Sequence, residues 1–159
     1  MKKVKFVQTK KYDICACLDN SLFEDKSDKV TKIIKILELF SNNVKKYEGF
    51  VFMNANDKST IDDLHNLKCS FEFIYTTKYL FNNREEKYKV IFNNEQITEI
   101  INFLLKNDLT FDGNGYINNN EIVLSIVVND HDGSYITFND QNYEKEKYKQ
   151  LINNILNQK

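Results

Sequence analysis

A chain of 159 residues, 42% hydrophobic and 13% aromatic, has enough apolar side chains for one core and lies outside the composition of disordered segments. A formal net charge of −1 and a pI near 6.1 lack the basic excess of a nucleic-acid binder, and Arg84 is the one arginine available for base or phosphate contacts. No run approaches the roughly 20 apolar residues of a membrane span, and the basic start never develops a signal-peptide core, so a soluble, cytoplasmic protein with reduced Cys15, Cys17 and Cys69 is expected.

Taken in chain order, the pattern predicts strands at 4–9 and 12–18, where β-branched and aromatic residues cluster. An amphipathic helix follows over 27–47, since Val30, Ile33, Ile34, Leu37, Phe40, Val44 and Tyr47 recur at three- and four-residue spacing. Ser27 is its expected N-cap and Gly49 its stop. A strand is expected over 49–54, and 57–66 reads as a short helix or a loop that Ser59 or Thr60 caps. Strands are predicted at 69–76 and 88–92. A second helix covers 95–106, with Ile97, Ile100, Ile101 and Leu104 on one face and Asn93 or Asn94 as cap. Strands at 116–118, 121–129 and 134–138 come next, the last two joined by Asp132-Gly133, a hairpin signal because a primed turn requires positive φ. A helix over 141–156 closes the chain. This order implies a single α+β domain over 1–159, with a mixed, mostly antiparallel sheet and about three helices packed on one face.

Between Asn107 and Tyr143 there is no lysine or arginine, whereas Asp108, Asp112, Glu121, Asp130, Asp132 and Asp140 all fall there. Charge segregated in this way acts on association more than on fold. Within it, Thr110 to Glu121 resembles the calcium-binding loop of the EF-hand family. The resemblance implies oxygen ligands from Asp112 and Asn114, a backbone carbonyl from Tyr116 and a bidentate carboxylate from Glu121, with Gly115 at the sharp turn. Thr110 stands where the family has aspartate, and the β-branched run after Glu121 predicts a strand where an EF-hand has a helix. The residues themselves therefore read as turns linking strands, with Gly113, Gly115 and 118–120 as turn formers.

Cys15, Cys17, His65 and Cys69 are of the types that bind zinc, although Cys15 and Cys17 alternate within an apolar strand, where free cysteine packs as a small hydrophobe. Cys69 and His65 are a weaker pairing of nucleophile and base. His131, flanked by Asp130 and Asp132, is the best acid–base candidate. No glycine-rich phosphate loop is present. The leading expectation is a non-enzymatic protein-binding module, with no cofactor, that presents an acidic surface to a basic protein partner. It extends to an inhibitor or immunity-type protein that neutralises a basic toxin. Asp108, Asp112, Glu121, Asp130, Asp132 and Asp140 would supply steering, with aromatics such as Phe111, Tyr116, Tyr135 and Phe138 as anchors. The alternative is a divalent-cation-binding or small-molecule-acting protein with its site in the 110–133 loops, metal ligands being Asp112, Asn114, Tyr116 and Glu121. Nucleic acid and membrane are not expected as partners.

Overall fold

The computed structural model describes residues 2–78, 84–118, 121–130, 132–139 and 141–158. Its strands are β1 (Lys5–Gln8), β2 (Asp13–Asp19), β3 (Lys46–Asn54), β4 (Ser70–Lys78), β5 (Arg84–Phe92), β6 (Phe111–Tyr116), β7 (Ile122–Asp130) and β8 (Gly133–Asn139). They make one sheet in the order β1-β2-β8-β7-β6-β3-β5-β4. Every pairing is antiparallel, so the sheet expected to be mixed is wholly antiparallel among the described residues. The side-chain period of two explains its two faces. In β2, Ile14, Ala16 and Leu18 are buried while Cys15 and Cys17 between them are half-exposed. β6 and β8 follow the same alternation.

Among the described residues four α-helices accompany the sheet: α1 (Lys26–Glu38), α2 (Lys58–His65), α3 (Ile97–Lys106) and α4 (Lys145–Leu156). The expectation of about three left 57–66 open as a short helix or a loop; it is helix α2, and its cap is Asp57, not Ser59 or Thr60, the Asp57 carboxylate accepting from the Thr60 N–H and hydroxyl at 3.1 and 2.6 Å. The helices cover the buried face. Phe40, just past α1, stacks near Phe138 of β8 at 5.6 Å and on Tyr148 of α4 at 5.2 Å. His65 of α2 sits edge-on to Phe71 of β4 at 4.6 Å. The buried side chains form one cluster in which α1, α3 and α4 meet β2, β3, β7 and β8.

α1 is shorter than its apolar spacing predicts. Asp25, not Ser27, caps it by accepting from the Asp28 N–H, and it ends at Glu38. Phe40, Val44 and Tyr47 keep the three- and four-residue spacing because a turn, and then β3, carry them into the same core. Tyr47 stacks on Phe92 of β5 at 5.0 Å. Gly49 does not stop a helix; it lies inside β3, opposite Gly113 of β6. A Cβ on Gly113 would fall 2.5 Å from the Glu48 carbonyl oxygen and 2.7 Å from Phe111 Cζ. Phe111 thus closes over a pair of glycines that let two backbones approach. For that reason residues 111–115, expected as turn, are strand.

Among the described residues of the β7–β8 hairpin the positive φ belongs to Asn129 (61°) and not to Gly133. Gly133 serves a different need, since a Cβ there would lie 2.3 Å from the Leu18 carbonyl oxygen of β2. No helix of the described residues is long and apolar enough to cross a membrane.

Candidate functional site

With the helices on one side, the other face of the sheet carries the outward-pointing residues. The register aligns them into cross-strand rows. One row runs Cys17, Tyr135, Val127, Asp112, Phe50, Lys89 and Glu72 across seven strands. The adjacent row runs Cys15, Thr137, Ser125, Asn114 and Glu48. Each position follows from alternation, because inward neighbours such as Ile136, Ile126 and Val51 are held in the core.

The two halves of this face differ in charge and chemistry. On the β2-β8-β7-β6 half, Tyr135 and Val127 lie between the Cys15 and Cys17 thiols and Asp112. The β7–β8 hairpin brings Asp130 and Asp132 beside them. Asn20 donates its backbone N–H to the Asp132 carbonyl at 3.0 Å, which ties the hairpin to the end of β2, and Asp19 stands at that same end. The phenol of Tyr135 is pushed above its ordinary value by lost solvation and then by the charges of Asp130 and Asp132. The Cys17 thiol is also pushed up, by burial and then by Cys15, so it is not a thiolate nucleophile near neutrality.

The β3-β5-β4 half is internally compensated. Glu48 accepts from Lys89 at 2.7 Å and lies 3.5 Å from Lys46. The Lys89 hydrogen bond holds its carboxyl below the usual range. Lys87 rests 4.0 Å above Phe50, 5.5 Å from Phe52 and 5.4 Å from Tyr75, a cation held over three aromatic faces. These three rings are exposed.

The residues expected to form one acidic patch separate into groups. Asp112, Asp130, Asp132 and Tyr135 lie on, or at the end of, one half of the open face, whereas the expected anchors Phe111 and Phe138 are buried in the core because they take the inward phase of β6 and β8. Tyr116 shares that face but sits at the opposite end of β6, where Lys46 stands 5.4 Å from its ring. Glu121 lies at that far end too, accepting from Asn118 Nδ2 at 3.3 Å. The length of β7, about 30 Å at ~3.3 Å per residue, separates it from Asp130. Asp108 follows α3, with φ 53°, and pairs with Lys26 at 3.2 Å. Asp140 and His131 lie outside the described residues.

The loop that the EF-hand resemblance implies is not adopted. Residues 111–116 are extended in β6, so Asp112, Asn114 and Tyr116 point from one strand face instead of converging, and Asn114 Oδ1 accepts from the Ser125 hydroxyl at 3.0 Å. The zinc grouping does not form either. Cys15 and Cys17 are on β2, six strand positions from β4, or about 29 Å at ~4.8 Å per strand, whereas Cys69 and His65 flank β4. Burial, with Glu99 nearby, pushes the Cys69 thiol up to about 11, which removes it as a nucleophile at neutral pH.

Phe50, Phe52 and Lys87 were not singled out from the sequence. Their signal is the alternation of 49–54, where Val51 and Met53 take the inward phase and leave two phenylalanines on the outward one. No family model, curated protein or solved structure matches this chain.

Proposed function

We propose that this protein is a non-enzymatic protein-binding module that receives a basic partner on the β2-β8-β7-β6 half of its open sheet face. The observation that carries the reading is the row Tyr135, Val127 and Asp112, bordered by Asp130 and Asp132 at the hairpin. Aromatic and apolar side chains there supply the contact area of an interface centre. The carboxylates at its margin favour a lysine- or arginine-rich surface and speed its approach. Inhibition of a basic toxin, in the manner of an immunity protein, is the form of the function that suits such a face. Glu121 takes no part in it, because it stands at the far end of β7, and Asp108, near Asn129, is already paired with Lys26.

The test is capture of the partner from the source cells, followed by association kinetics at rising ionic strength. The proposal predicts a basic partner whose on-rate falls as salt screens the carboxylates. Reversing Asp112, Asp130 and Asp132 to lysine is expected to abolish the complex while leaving the far-ultraviolet circular dichroism unchanged. Retention of the complex in that folded variant removes the proposal.

A further inference from the structure

On the opposite side of the molecule a cavity of about 1100 Å³ lies between α1 and α3, with the end of α2 as a third wall. α1 and α3 run antiparallel along it. Lys26, at the start of α1, is paired with Asp108 beyond the end of α3, and Glu99, near the start of α3, accepts from the Lys68 N–H after α2. The floor is apolar, formed by Val30, Ile34 and Phe103, and the two ends carry opposite charge. Lys26 and Lys106 lie at one end, with Asp108 offsetting part of their charge. Glu38, Asp63 and Glu99 lie at the other, and Lys35 there turns to the Gln158 amide at 3.3 Å. The length matches a helix of about three and a half turns, since the 13 residues of α1 extend about 20 Å.

We propose that this groove is a docking site for an amphipathic helix from a partner protein, seated parallel to α1 on the side opposite the open sheet face. Helices commonly carry acidic residues in the first turn and basic residues in the last. Such a helix complements the groove in one direction only, its acidic first turn over Lys26 and Lys106 and its basic last turn over Glu38 and Asp63. Its apolar stripe then meets Val30, Ile34 and Phe103, the helix-in-groove mode of recognition. The site is independent of the docking face proposed above, so either can fail alone.

The experiment is a nuclear magnetic resonance titration of the full chain with a synthetic 12-residue peptide. The peptide carries two glutamates in its first turn, a leucine stripe, two lysines in its last turn and a nitroxide at its N-terminus. Shifts at Ile34 and Phe103 are expected, with broadening centred on Lys106. A peptide with glutamine at all four charged positions is expected to bind at least fivefold more weakly, as is the Lys106→Gln variant, an exposed substitution that leaves the fold intact. Equal affinity for the two peptides, broadening centred on Thr98, or perturbation of the sheet face instead would overturn the proposal. So would concentration-dependent shifts of the same groove residues without peptide, which would mark a second copy of the chain as occupant.

Discussion

Gly113 and Gly115 are neighbours in β6 with different constraints, and the difference is testable at single residues. A Cβ on Gly113 meets backbone atoms at 2.5 and 2.7 Å, whereas one on Gly115 meets Val44 methyl groups at 3.2 Å. Gly113→Ala is therefore expected to destabilise by about 3 kcal/mol or more, the upper range of overpacking. Gly115→Ala should cost clearly less in the same urea titration, because side-chain methyls can yield where backbone cannot. Glu48 adds a pH signature. Its carboxyl is held below the ordinary value, chiefly by the Lys89 hydrogen bond, so its contribution is fully present above the unfolded value of about 4.3. That contribution is lost as pH falls through the lower native value. Glu48→Gln should flatten the stability curve on that acid limb, and an unchanged slope would contradict the assignment. Neither glycine's role was legible beforehand, because a glycine that permits close backbone approach and one that permits a turn look alike in sequence.

Among the elements, the β7–β8 hairpin is organised by one residue. Asn129 holds φ 61°, donates its amide to the Leu109 carbonyl at 3.1 Å and accepts from Lys29 at 3.3 Å. Its carbonyl accepts from the Thr110 hydroxyl at 2.8 Å. Burial lowers the pKa of the Lys29 ammonium, and Asn20 supplies its other oxygen at 2.8 Å. Asn129→Ala loses the side-chain bonds and adds a left-handed strain of about 1–2 kcal/mol. Asn129→Gly loses the same bonds without the strain, so thermal melts should rank wild type above Gly and Gly above Ala. The hairpin's existence was legible from Asp132-Gly133, but the residue bearing the positive φ was not, since asparagine at the end of an apolar strand carries no distinct signal. α1 and α3 were legible for the opposite reason: their apolar period is long and coincides with burial. The end of α1 was not, because Phe40, Val44 and Tyr47 reach the same core through a turn and a strand.

For the whole molecule, an eight-stranded antiparallel sheet with helices on one side leaves a broad face open. Sequence alone identified the acidic stretch but not its distribution. Residues adjacent in the chain, such as Glu121 and Ile122, stand at one end of β7, whereas Asp112 becomes a neighbour of Phe50 and Val127 only through strand order and register. Those two quantities are set by long-range pairing, which local patterning does not encode. The proposed docking of a partner on the Tyr135, Val127 and Asp112 row is open to one direct measurement. Hydroxyl-radical footprinting of the chain with and without its captured partner reads which side chains the complex covers. Protection of Tyr135, Val127 and Cys17 is the predicted result. Unchanged oxidation of all three in the complex, with protection confined to residues elsewhere, would contradict it.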